Sequence, residues 1–135
     1  MTLREITTAI RDTLLDNKNL PVVSLTPRHP DNVPSLPYLS LALDSVSRDH
    51  SQSDLKRINA SVTRAQFTVL VFVGTADEHL VLELSDMIEE VIGTVRGLTI
   101  SSNDAAYYVG SVSTQFHENA RWAAANITVM VEGYE

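Results

Sequence analysis

The run from Ile58 to Arg96 constrains the fold more than any other part of the chain. Ala65, Phe67, Val69, Val71 and Val73 put five apolar side chains on one face at a two-residue period, the period of a β-strand. The opposite face begins with Arg64, Gln66 and Thr68 and ends with Leu70 and Phe72. A strand whose second face turns apolar is expected to be buried on both sides at that end. Gly74 closes the run, and Thr75 and Glu78 then have the spacing of a capping box. Behind them Leu80, Leu84, Met87, Ile88, Val91 and Val95 recur at steps of three and four, as in an amphipathic helix. The other segments are expected to cover this strand–helix unit.

Composition narrows what the unit belongs to. With 135 residues, 44% hydrophobic and 20% charged, the sequence reads as one globular domain able to bury a core without covalent staples. It has no cysteine, which excludes disulfides, thiolate metal sites and cysteine nucleophiles and fits a reducing cytosol. Met1-Thr2-Leu3-Arg4-Glu5 is charged at once, so no signal peptide is expected, and the apolar runs are strand-length, too short for a membrane span. The formal charge is −7, and of ten basic residues only Lys56 and Arg57 are adjacent. That pattern argues against a nucleic-acid binder, which needs clustered cations to neutralise phosphates.

Taken in order, Leu3, Ile6, Ile10 and Leu14 make a helical stripe, with Thr2 and Glu5 at capping-box spacing and a stop at Asn17-Lys18-Asn19. Leu20 to Leu25 reads as a short strand with Pro21 at its start, as an edge strand tolerates. Pro27, Pro30, Pro34 and Pro37 favour an extended connection. Pro37 to Leu43 resumes a strand with Leu39, Leu41 and Leu43 toward the core. The polar stretch that follows reads as a hairpin loop over 44–57. After the central helix Gly97 is a natural C′ residue, Leu98-Thr99-Ile100 a short strand and Ser101 to Asp104 a turn. Tyr107 to Phe116 reads as a strand with Tyr108, Val112 and Phe116 on one side and Gly110 at a bulge. A turn at His117 to Ala120 leads to a last strand, Arg121 to Glu132. The order is that of an α+β fold, an antiparallel or mixed sheet with two main helices packed on one face.

Chemistry is harder to find. The five glycines are dispersed, so there is no phosphate-binding loop, and no catalytic motif is present. His29, His50, His79 and His117 are far apart; His29 with Asp31 admits a metal reading, but both are ordinary residues of a proline-rich loop. Acids cluster on the central helix, with Glu83, Asp86, Glu89 and Glu90 forming a stripe and no base before Arg96. Such a stripe is most simply a solvated outer face. Two functional readings stand beside that one: acid–base or metal work by paired carboxylates, and a negative wall lining a channel built from several subunits.

The element order and the ending carry a resemblance. The helix Leu3-x-x-Ile6-x-x-x-Ile10 leads through prolines to Leu36-Pro37-Tyr38-Leu39-Ser40-Leu41. The strand Arg64 to Val71 precedes the Leu84 to Val95 helix, and Arg121 to Val129 forms a final strand near the C-terminus. In these features, over nearly its whole length, the chain resembles the tail terminator (minor tail, tail completion) proteins of lambda-like bacteriophages and prophages. The resemblance rests on layout and size and carries over no individual functional residue. It implies a non-enzymatic virion protein without cofactors, assembled in the bacterial host cytoplasm. Such proteins form a ring, usually a homo-hexamer and sometimes monomeric in isolation, that ends polymerisation of the tail tube protein and presents the joining surface for the head–tail connector. DNA passes through without specific binding, and no membrane is involved. Within that picture Arg48, Asp49, His50, Asp54, Lys56 and Arg57 are candidates for a tube-docking loop, and Glu83, Asp86, Glu89 and Glu90 for an acidic lumen face. The alternatives are a phage head-closure or neck protein, a small dimeric α+β ligand-binding module using Trp122, Tyr107 or Tyr108, and, last, a small hydrolase or isomerase using the acidic helix.

Overall fold

The computed structural model describes residues 3–21, 23–25, 37–49, 62–74, 79–101, 105–117 and 122–134. The elements are α1 (Leu3–Asp16), β1 (Val23–Ser24), β2 (Tyr38–Asp49), β3 (Val62–Val73), α2 (Leu80–Ser101), β4 (Ala105–His117) and β5 (Trp122–Tyr134). The strands form one sheet in the order β1-β2-β3-β5-β4. β1 pairs with β2 in parallel, and every other pair is antiparallel, so the sheet is mixed and the fold is α+β.

The alternation in β3 dictates the two layers. Ala65, Phe67, Val69, Val71 and Val73 are all buried on the face that the helices cover. In register beside them, β5 contributes Ala123, Ala125, Ile127, Val129 and Val131, and β2 contributes Leu39 and Leu41. Ile6, Ile10 and Leu14 of α1 and Leu84, Val91 and Val95 of α2 close over this surface. A buried aliphatic or aromatic side chain of this kind contributes roughly 1.5–3 kcal/mol through apolar burial. The continuous stripe from Ile6 to Val131 is therefore the main source of stability.

The second face of β3 behaves as its sequence dictates. At the apolar end Phe72 meets Trp122 edge to face, with ring centroids 5.9 Å apart at 75°, and Tyr38 and Ala124 complete a smaller buried cluster. At the polar end Arg64 pairs with its cross-strand neighbour Glu132 at 3.2 Å. That pair is solvent-exposed and contributes about 0–1 kcal/mol.

Two bulges reset the alternation. Asp44 interrupts the β2–β3 register and Gly110 the β4–β5 register. The extra residue returns Val46 to the helix side opposite Ala65, and the Asp44 carboxylate accepts a hydrogen bond from the Thr68 hydroxyl. On β4 the expected bulge at Gly110 is present, but it places Tyr108 opposite Met130 on the face away from the helices. Val112 and Phe116 instead lie opposite Ile127 and Ala123 on the helix side. The three are not on one side as simple alternation suggests, because the inserted residue inverts every side chain beyond it.

Two further boundaries differ from the sequence reading. β2 does not stop at Leu43; residues 44–49 pair with β3 as far as Asp49 opposite Val62. Residues 44–49 of the expected loop at 44–57 are therefore strand, and 50–57 lie outside the described residues. The expected start of β3 at Ile58, and the capping boxes at Thr2 and Thr75–Glu78, lie wholly or partly outside the described residues. Leu98-Thr99-Ile100 is not a strand, since α2 runs through Gly97 to Ser101. The reason is packing: Leu98 continues the Val91–Val95 stripe onto the core.

Gly97 is thus a helix-interior residue with open space around its Cβ position, as is Gly93. Gly97→Ala is expected to stabilise the fold by roughly 0.5–1 kcal/mol in chemical denaturation. If Gly97 were a left-handed cap, the same substitution would destabilise it instead.

Candidate functional site

The acidic residues of α2 divide between two environments. Asp86 and Glu89 are exposed on the outer face, whereas Glu83 and Glu90, seven residues apart, share a half-buried side. Glu90 is engaged by the end of α1. Asn17 Nδ2 donates to Glu90 Oε2 and to Thr94 Oγ1, both at 3.0 Å, and Asn19 Nδ2 donates to Glu90 Oε1 at 3.4 Å. The Asn17 side-chain oxygen also accepts from the Asn19 N–H at 3.0 Å, which ends α1 where the sequence places its stop. Glu90 is therefore a tie between helices. The freely solvated part of the stripe is Asp86 and Glu89.

Arg48 and Asp49 stand at the outer end of β2, opposite Thr63 and Val62. His50, Asp54, Lys56 and Arg57 lie outside the described residues. His79 precedes α2, and its carbonyl accepts from the Glu83 N–H at 2.8 Å. His117 ends β4, and His29 and Asp31 lie outside the described residues. Among the described residues no three His, Asp or Glu side chains are placed to hold a metal ion, and no helix is long and apolar enough to cross a membrane.

The aromatics named for a pocket separate. Trp122 is packed against Phe72 on the face away from the helices, Tyr107 is buried under α2, and Tyr108 is exposed. Tyr107 and Tyr108 border an open cleft of about 290 Å³ between α2 and β4, shared with Ile92, Arg96 and Thr99. Among the described residues its lining offers Arg96 as the one charged side chain and no set of convergent polar groups of the kind a small-ligand site needs.

Thr99 is the residue that sequence reasoning missed here. Its hydroxyl accepts from the Tyr107 N–H at 2.9 Å and donates to the Tyr107 carbonyl. Both backbone groups of Tyr107 are held by one side chain of α2, which takes the place of a neighbouring strand at that point of the β4 edge. The available signal was the period Val91–Val95–Leu98–Thr99, which the β-branched character of Thr99 and Ile100 obscures.

With the geometry in place, the chain can be compared with known proteins. Neither a protein-family model nor a curated protein sequence matches it. A solved structure does. The fold is similar to that of a chain in the virion of a native gene transfer agent particle. The match has a TM-score of 0.67 and covers 96% of this chain and 95% of that one, at 12% sequence identity. The fold is therefore shared over nearly the whole length of both chains, while few side chains are.

Burial pushes the Tyr107 hydroxyl above its ordinary pKa of 10.0. The folded state then holds that proton more tightly than the unfolded chain, so stability is complete below about pH 10 and falls as pH rises through the folded value. Denaturation midpoints followed from about pH 9 upward are expected to drop less for Tyr107→Phe than for the native chain. An equal drop would remove Tyr107 as the group responsible.

Proposed function

We propose that this chain is a structural, non-enzymatic protein of a phage-like virion and that it acts as the tail terminator. A ring of copies caps the tail tube, ends its polymerisation and presents the surface on which the head–tail connector seats. The observation that carries this reading is the end-to-end likeness of the fold to a virion chain. The element order that resembles tail terminators supports it independently. So does the acidic character of the chain, with Asp86 and Glu89 solvated on α2 as a lumen requires if DNA is to pass without sticking.

In this reading the core is a mount. The segment that follows Arg48 and Asp49 at the end of β2 docks onto the tube, and the outer face of α2 lines the passage. The terminator role is tested by adding the purified protein to polymerising tube subunits of the same particle. Shorter tubes, each closed by a ring with a central hole in negative stain, are expected; tubes of unchanged length without end caps would contradict it. Deleting residues 50–54, beyond the end of β2, is expected to abolish length control while leaving the thermal transition in place. Normal tail lengths from that variant would remove the docking role of the segment.

A further inference from the structure

We propose that copies of this chain join head to tail, the outer edge of β4 in one copy adding to the open edge of β2 in the next, so that one sheet runs on from subunit to subunit. The proposal deepens the ring reading and rests on it. It begins with strand directions. β4 is antiparallel to β5, β5 to β3, and β3 to β2, so β4 and β2 run in opposite senses at the two sides of the sheet. A neighbour in the same orientation therefore brings β2 antiparallel to β4, and the backbone hydrogen bonds can form without inverting either copy.

The chemistry of the two edges agrees. From Ala105 to Phe116 β4 carries no charge and no proline, the devices that usually guard a long edge strand. Among the described residues Thr99 holds this edge at Tyr107, and Val109 to Phe116 are left for a partner. Among the described residues β1 covers β2 only at Leu39 and Ser40, which leaves its outer half.

Apolar side chains wait at both places. Val112 and Phe116, 38% and 46% exposed, and Leu43 and Val46, 44% and 39% exposed, all lie on the helix side of the sheet, Leu43 by simple alternation and the other three through the bulges, and the helices cover them incompletely. An edge-to-edge joint brings these side chains onto the same face. Beside Leu43 a cleft of about 400 Å³, bordered by Leu3, Leu25, Arg4 and Arg11, offers room for Phe116. The charges are complementary as well. Of the α2 acids, Glu83 is the one neither tied to α1 nor assigned to the passage, and the cleft that receives the incoming edge bears two arginines. A head-to-tail interface of this kind is heterologous and closes into a ring when its rotation allows.

Because the native chain has no cysteine, each introduced thiol is unique. Ser113 and Ser45 are exposed and lie opposite Asn126 and Gln66, on the face away from the helices in both strands. A mixture of Ser113→Cys and Ser45→Cys, assembled and then oxidised, is expected to give a mixed disulfide dimer. The double variant is expected to give a reducible ladder of covalent oligomers. Ser111 or Gln115 with Ala42 or Ser47 tests the neighbouring registers, since a disulfide tolerates only a narrow range of Cα separations. Phe116→Asp, at an exposed position, is expected to keep the native circular dichroism and melting transition but to sediment as a monomer. Self-dimers of Ser113→Cys alone would mean that β4 meets β4 and would overturn the proposal. Native rings with no cross-link at any register, and with Phe116→Asp still assembling, would overturn it while leaving the ring reading intact. Rings that survive Phe116→Asp but no longer cap tubes would assign the edge to the tube protein instead. A native chain that forms no ring even with tube protein present would overturn both.

Discussion

The pairing of β3 with β5 is the constraint on which the rest of the structure depends. Twelve residues of each strand stand in unbroken register, from Val62 opposite Tyr134 to Val73 opposite Ala123. A slip of one residue would turn Phe67, Val69 and Ile127 out to the other face. The helices need that surface, since neither α1 nor α2 has another apolar partner of comparable size. Loss of a single buried side chain there, such as Phe67→Ala, carries a cost of about 3–5 kcal/mol, a large part of the stability of a small domain.

The outer strands obey looser rules. β2 and β4 each carry a bulge, at Asp44 and Gly110, whereas the central pair carries none. The bulges keep apolar residues on the helix side where the helices cover them incompletely, which is a waste in an isolated subunit and an advantage in an assembled one. This division assigns stability to the centre of the sheet and, in the proposed ring, assembly to its margins. It also accounts for a fold similar to that of a gene transfer agent virion chain at 12% identity. Many apolar side chains can keep the same register, while the margins and outer faces are free to follow their own partners.

Much of the fold was legible in the sequence, because the strongest signals were periodic. The alternation in β3, the stripe Ile6–Ile10–Leu14 and the stripe Leu84–Val91–Val95 each named the residues that the structure buries. The failures were local and have causes. Leu98-Thr99-Ile100 looks like a strand because two of its three residues are β-branched, yet tertiary packing of Leu98 holds it in the helix. Ser45, Ser47, Arg48 and Asp49 look like a loop, yet a sheet margin that needs no second cover tolerates polar residues. Gly110 could be read as a bulge, but which face Tyr108 and Phe116 then take depends on where the register resumes opposite β5. The candidate site was less legible still. Glu90 belongs by sequence to an acidic stripe, and only the proximity of Asn17 and Asn19, some seventy residues away, makes it a helix tie. The edges proposed as the subunit joint have no local motif, since an open edge is a property of the whole topology.

Hydrogen exchange on the free subunit and on the assembled particle tests the division between core and margin most directly. The account predicts equal, strong protection of β3 and β5 amides in both states, with new protection confined to Val109–Phe116 of β4 and the outer half of β2 after assembly. Unchanged exchange along β4 and β2, or protection gained mainly within β3 and β5, would contradict it.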